Sequence, residues 1–301
     1  MVAKLTKRDF LKLAGLGGGA VFASRLPGFA SSAFAAGAAA DEFYFVQLSD
    51  LHWGFKGPQF NPDAEGTLPK AIAAVNGLAA PPDFVVFTGD ITHTTDDPAE
   101  RRARMVKAKE IIGGLKVKAV YFLPGEHDAS LDKGEAYQEH FGKLNYSFDH
   151  KGVHFIALDN VSDPKALIGE AQLAWLAADL KGRKSEAPIV VLTHRPLFDL
   201  APSWDWATPD GGKALDLLMP FKHVAVFYGH IHQEHHQMTG HIAHHAAKGL
   251  MFPLPAPLSQ PKKQPIPWDA AAPYKGLGWR GVEAGLKEAE YKLTEYPLAK
   301  A

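Results

Sequence analysis

Five apolar runs along this chain each end in a short cluster of carboxylates and imidazoles, and no other feature narrows its fold as much. FYFVQLS leads into Asp50-Leu51-His52, DFVVFT into Gly89-Asp90 and AVYFLP into Gly125-Glu126-His127-Asp128. PIVVLT leads into His194-Arg195, and VAVFY into Gly229-His230-Ile231-His232. Short runs rich in branched and aromatic residues, bounded by turn signals, read as strands buried on both faces. In an open α/β sheet, ligands bind just beyond the carboxyl ends of the strands. The five clusters are therefore expected to converge on one sheet edge. Carboxylates and imidazoles suit Zn, Mn, Fe and similar ions, so the pattern points to a metal-centred active site with two metals.

The chain has 301 residues, 46% hydrophobic and 22% charged, which is ordinary globular composition. It lacks cysteine, which excludes disulfides, thiolate metal sites and cysteine nucleophiles. Residues 1–12 are basic, residues 13–23 are weakly apolar and rich in Gly and Ala, and Ala33-Phe34-Ala35 fits a small-x-small cleavage pattern. This is the layout of an export signal, expected over residues 1–35 with a linker at 36–42. The apolar stretch is too short to span about 30 Å of hydrocarbon. Setting aside the five basic groups and one acid of residues 1–35 moves the formal charge from −1 to −5. A mildly acidic domain has no bulk charge for nucleic acid or anionic membrane. Residues 43–301 are expected to form one catalytic domain ending in a Pro-rich segment.

Strands are expected at 43–49, 83–88, 118–123, 188–193 and 223–228, with a hairpin at 145–159 turning at Lys151-Gly152. Helices are expected at 67–79, with Thr67 as cap, and at 97–115, 169–182 and 212–219. Past residue 249 the pattern weakens. Leu250–Pro255 is read as a candidate strand, 255–273 as Pro-rich loop, and 279–296 as a closing hairpin.

Taken singly, most clusters are weak. Asp50 and His52, two apart at a strand end, would point the same way, yet a turn acid or cap is the favoured reading of an isolated Asp50. Gly89-Asp90 alone is an ordinary strand-to-turn pair. In Gly125–Asp128, Glu126 offers a metal ligand and His127 a donor to substrate. Asp128 is read as orienting the His127 ring, against a solvated charged turn. His194 alone reads as a satisfied, partly buried histidine. Gly229-His230-Ile231-His232 is the most specific piece. The further histidines 235, 236, 241, 244 and 245 read mainly as loop and strand positions, with a metal-attracting patch as the alternative.

The ordered set Asp-x-His, Gly-Asp, Gly-x-His-Asp, His, Gly-His-x-His resembles the calcineurin-like metallophosphoesterase superfamily over roughly residues 43–250. The resemblance implies a four-layered α/β/β/α sandwich of two mixed sheets flanked by helices. It implies that Asp50, His52 and His232 hold one metal, that His194, His230 and Glu126 hold the other, and that Asp90 bridges both. It implies that His127 contacts the phosphoryl group with Asp128 orienting it, and that a metal-activated hydroxide attacks in line. The ions expected are divalent or mixed-valence Mn, Fe or Zn. Glu126 stands where the family usually has asparagine, adding negative charge to the second metal's shell. His93 stands where purple acid phosphatases carry a tyrosine ligand, which argues against a tyrosinate-coordinated centre. His93 is read as a substrate-pocket residue, an outer ligand or a plain loop histidine. The run Thr6-Lys7-Arg8-Asp9-Phe10-Leu11-Lys12 resembles a twin-arginine export signal with lysine in place of the first arginine. It implies dealings with the export machinery and a periplasmic or secreted bacterial location.

The expected reaction is hydrolysis of a small-molecule phosphoric ester, with a diester favoured slightly over a monoester. Arg195 suits phosphate through its planar fork and equally suits a surface ion pair. Trp53, Phe55, Trp204 and Trp206 are expected to pack for at least two of the four, the rest being available to stack on substrate. The rival reading is an exported, non-hydrolytic metal-binding or partner protein using the same site.

Overall fold

Alternation along the apolar runs sorts their side chains onto two faces, and both faces are covered. The computed structural model describes residues 21–23, 43–285 and 290–299. Strands β1 (Val21–Ala23), β2 (Phe43–Leu48), β3 (Phe84–Thr88) and β4 (Val120–Leu123) form one sheet with the hairpin β11 (Gly278–Gly285) and β12 (Glu290–Pro297). Its order is β1-β12-β11-β2-β3-β4, parallel from β2 to β4 and antiparallel elsewhere. A second sheet contains β5 (Tyr146–His150), β6 (Val153–Ala157), β7 (Pro188–Leu192), β8 (His223–Tyr228), β9 (His235–Thr239) and β10 (Ile242–Ala246). Its order is β5-β6-β7-β8-β10-β9, parallel from β6 through β10.

On β2, Phe43 and Phe45 face the second sheet, while Tyr44, Val46 and Leu48 face helices. On β8, Ala225 and Phe227 face the first sheet, and Val224 and Val226 face helices. Phe45 and Phe84 stack at 5.0 Å, and Phe155 meets both edge-on. Each such buried Phe contributes roughly 1.5–3 kcal/mol through lost apolar exposure. The outer layers are α1 (Thr67–Asn76), α2 (Pro98–Ile112) and α4 (Glu135–Phe141) on the first sheet. On the second they are α5 (Gly169–Leu180) and α6 (Gly211–Leu218). One-turn helix α3 (Glu126–Ala129) follows β4 directly. The result is the expected α/β/β/α sandwich of two mixed sheets.

Several boundaries differ from expectation. Thr67 is the first residue inside α1 rather than its cap, and Gly66 occupies the cap position. Asp97 does cap α2, accepting from the amides of Ala99 and Glu100. Leu250–Pro255 is not a strand: Leu250 and Met251 are buried, but the prolines end any ladder. Helix α4 was not foreseen. The histidine-rich stretch forms the β9–β10 hairpin, with His244 and His245 buried and His236 Nδ1 2.8 Å from His245 Nδ1. Trp204 and Trp206 are buried in a satellite cluster with Tyr228 and Ile231. The expected leader and linker lie outside the described residues apart from Val21–Ala23.

Candidate metal centre

All five clusters meet at the ends of β2, β3, β4, β7 and β8, but not by continuing the strands. β2 ends at Leu48 and β8 at Tyr228. Beyond those ends, Asp50, His52, Asp90, His230 and His232 all adopt positive φ, between 42° and 66°. Left-handed backbone at a non-glycine residue costs roughly 1 kcal/mol or more and gathers at functional sites. Here it folds each strand end back so that neighbouring side chains turn into one space. The period-two argument for Asp50 and His52 thus reaches the right convergence through the wrong backbone geometry. Cross-links hold the strain: the amides of Asp50 and His52 donate to the carbonyls of Gly89 and Asp90 at 3.1 and 2.9 Å, and the His230 amide reaches Asp50 Oδ1 at 3.1 Å.

Two glycines make the approach possible. Gly89 has φ +96°, and a Cβ there would lie 2.3 Å from His194 Nδ1. A Cβ on Gly125 would lie 2.1 Å from both the amide nitrogen and Oδ1 of Asp90.

The ligand-type atoms fall into three groups, two of them sharing one carboxylate and the third formed by His52, His93 and His127. Asp50, His52, Asp90 and His232 bring one atom each within 4.8 Å of one another, as do Asp90, Glu126, His194 and His230. Asp90 Oδ2 sits between the groups, 3.5 Å from His52 Nε2 and 3.4 Å from His194 Nε2. Glu126 places one oxygen 2.9 Å from His230 Nδ1 and the other 2.9 Å from His194 Nε2.

Backbone carbonyls behind the rings set their tautomers. His194 Nδ1 donates to Thr88 O at 2.7 Å, His232 Nδ1 to Phe252 O at 2.6 Å, and His230 Nε2 to Asp205 O at 2.9 Å. The neutral rings of His230 and His232 so held turn their other nitrogen, with a free lone pair, into the site, while His194 turns Nε2 towards Asp90 and Glu126. Burial pushes the His52 pKa well below 6.5, that of His232 down to about 4, and that of His230 down, which keeps these rings neutral. Burial pushes His194 the same way, but Asp90 and Glu126 outweigh it and hold that ring well above 6.5. Burial raises Asp50 to about 7. Burial would also raise Asp90 and Glu126, yet the facing histidines pull both down.

This set fits cations. His194 Nε2 and Glu126 Oε2 are buried and face each other at 2.9 Å, with Asp90 Oδ2 3.4 Å from the same nitrogen. His52 Nε2 and His232 Nε2 lie 3.1 Å apart, and three carboxylates crowd the same space. Positive charge satisfies all of these atoms together.

Three residues take roles other than those expected. Asp128 does not hold the His127 ring. Its carboxylate accepts from the amides of Ile91, Thr92 and Gly125 and from the Thr92 hydroxyl, at 2.8–3.0 Å. It ties the Asp90 loop to the start of α3, and no lone pair is left directed at an imidazole. The partner of His127 is Thr94, which the sequence reading missed. The Thr94 amide donates to His127 Nδ1 at 3.2 Å, and its hydroxyl lies 2.6 Å from the same atom. The ring proton is therefore on Nε2, which points to Asp90 Oδ2 at 4.0 Å. His93 lies behind His52, Nδ1 to Nδ1 at 3.2 Å, and stacks on His127 at 4.8 Å. Arg195 is not a surface ion pair: its Nε is buried 3.6 Å from Glu126 Oε2.

Two sheets between helices carry, at their strand ends, paired carboxylate–imidazole clusters of the kind that suits metal ions. The calcineurin-like phosphoesterase profile matches residues 43–234, and the chain belongs to this family of hydrolases acting on phosphoric esters. Among curated proteins it is 28% identical over 200 residues to a probable glycerophosphodiester phosphodiesterase, GpdQ, of Arcobacter nitrofigilis, covering 62% of this chain and 71% of that one. It is 25% identical over 230 residues to a probable cyclic nucleotide phosphodiesterase of Rhodopseudomonas palustris, covering 68% and 77%. Among solved structures, a dimetal phosphatase from Danio rerio superposes with TM-score 0.53 at 13% identity, covering 86% of this chain and 99% of that one. A purple acid phosphatase from yellow lupin superposes with TM-score 0.59 at 15% identity, covering 81% and 50%. These two likenesses concern the fold.

Proposed function

We propose that the chain is a two-metal phosphodiesterase. The observation that carries the reading is the pair of four-residue groups joined at Asp90. Asp50, His52 and His232 would hold one ion, Glu126, His194 and His230 the other, and Asp90 would bridge them. When bound, such a pair of ions neutralises phosphoryl charge and acidifies water near neutral pH. The protein's own part is positioning. The carbonyls of Thr88, Phe252 and Asp205 fix three rings, and Asp128 locks the two loops that present Asp90 and Glu126. His127 carries its proton on Nε2, the form that donates to a phosphoryl oxygen or to the departing alkoxide. Arg195 offsets the extra charge that Glu126 brings. The diester preference draws support from the names of the two curated phosphodiesterase relatives and from His93, which stands at the tyrosinate position and faces His52 instead.

The test is a side-by-side assay of bis-p-nitrophenyl phosphate and p-nitrophenyl phosphate after Mn, Zn or Fe loading, with metal content per chain. Two metals, turnover abolished by Asp90→Asn and faster diester cleavage are the expected results. Faster monoester cleavage would overturn the diester preference, and absence of metal would overturn the site. The basic, then Gly- and Ala-rich leader supports export. The enzyme should then be recovered outside the cytoplasm, and Lys7→Gln with Arg8→Gln should retain it inside.

A further inference from the structure

Beside the metal centre lies a cavity of about 360 Å³ that no catalytic role accounts for. His232 belongs to both: its Nε2 lies 3.3 Å from Asp50, and the residue also lines the cavity. The opposite wall is the Pro-rich segment, chiefly Pro253, Leu254, Ile266, Pro267 and Trp268. That segment is pinned rather than loose. The Ile266 amide donates to Pro253 O and the Trp268 amide to Gln59 O, each at 2.9 Å. Midway, Lys263 reaches Asp205 at 3.6 Å, the residue whose carbonyl holds His230. The strap therefore runs from the loop beside β2 to the loop after β7, alongside the metal groups. Ile266 and Trp268 nevertheless stay 41% and 38% exposed while facing an apolar cavity. Large apolar side chains left open around a concave space mark a ligand site.

Building on the phosphodiesterase reading, we propose that this cavity binds one ester substituent of the substrate, a flat apolar group of about two fused rings, and that Trp268 and Ile266 set this specificity. The size follows from volume. An apolar cavity of roughly 150 Å³ accepts benzene, and this one is more than twice as large. The placement follows from His232, the residue that belongs to the first ligand group and also lines the cavity. Lys248, Asp269 and Lys275 also line the space, Lys248 facing Glu234 at 3.6 Å, so the charge of its rim is mixed and the apolar wall carries the discrimination.

The experiment uses the full Mn-loaded protein and two kinds of probe. Non-hydrolysable methyl methylphosphonate and 2-naphthyl methylphosphonate are titrated calorimetrically. Methyl and 2-naphthyl esters of p-nitrophenyl phosphate, in which water adds to phosphorus as p-nitrophenolate leaves, are assayed for turnover. The naphthyl phosphonate should bind at least tenfold tighter than the methyl one, and kcat/KM should differ in the same sense. Trp268→Ala and, separately, Ile266→Ala should erase most of that ratio and leave the methyl probes unchanged. Equal affinities in the parent protein, or equal weakening of both probes in the variants, would overturn the proposal. Phosphonate discrimination without turnover of either ester leaves the cavity assignment standing and removes the hydrolytic reading. Turnover with no naphthyl preference does the reverse.

Discussion

His93 Nδ1 lies 3.2 Å from His52 Nδ1, so one proton serves two ring nitrogens. Burial pushes the His93 pKa down to about 4, which keeps that ring neutral and able to accept. With a cation on His52 Nε2, the shared proton belongs to His52, and His93 does for it what backbone carbonyls do for His194, His230 and His232.

Removing that acceptor should loosen the first metal. His93→Ala is expected to weaken it about 10–100-fold, the usual cost of losing such an outer partner, and His93→Gln should recover part of the loss through its amide oxygen. Chelator competition monitored by metal content reads this directly. Parent-like affinity in His93→Ala would assign His93 to the substrate pocket instead.

Thr94 predicts a separation of chemistry from metal content. His127→Ala should lower kcat by about 10²–10⁴-fold, the range for a positioned proton donor, with both metals retained. Thr94→Val keeps the amide donor and loses only the hydroxyl, so a smaller drop in kcat with both metals retained is expected. Loss of metal from His127→Ala would contradict its place outside the ligand set.

Glu126 and Arg195 should respond as a pair. Glu126→Asn removes a charge that Arg195 Nε faces at 3.6 Å. The variant should keep activity while changing its order of preference among Mn, Zn, Fe and Co. Adding Arg195→Gln should restore part of the original metal affinity if the arginine's uncompensated charge is the cause. An unchanged order of metals in Glu126→Asn would sink the account of glutamate at this position.

Asp128 should matter to folding more than to the chemical step. Asp128→Ala strands three amides and a hydroxyl in the interior. At about 1–3 kcal/mol for each buried donor left unpaired, a loss on the order of 3 kcal/mol or more is expected in denaturant unfolding of the metal-free protein. Equal stability of parent and variant would show that other partners replace the carboxylate.

The sequence by itself determined the layers and the chemistry. Buried parallel strands need apolar residues on both faces, so FYFVQL, FVVFT, PIVVL and HVAVFY announced themselves, and the carboxylates and imidazoles after them had no apolar purpose. The clusters were expected along one sheet edge, but Asp50, Asp90 and Glu126 follow strands of one sheet and His194, His230 and His232 follow strands of the other, so they meet where the two sheets pack together. Partners set by folding were not legible. Thr94 and His127 are 33 residues apart, and Asp128 reaches Ile91 and Thr92 across a similar span, with no local spacing to betray either contact. Asp128 next to His127 looked like the ring's partner, but α3 turns successive side chains about 100° apart, sending Asp128 to backbone amides and His127 to the mouth of the site. The left-handed backbone at Asp50, His52, Asp90, His230 and His232 was likewise a decision of the tertiary structure, because strain of that kind persists only where surrounding hydrogen bonds over-determine it.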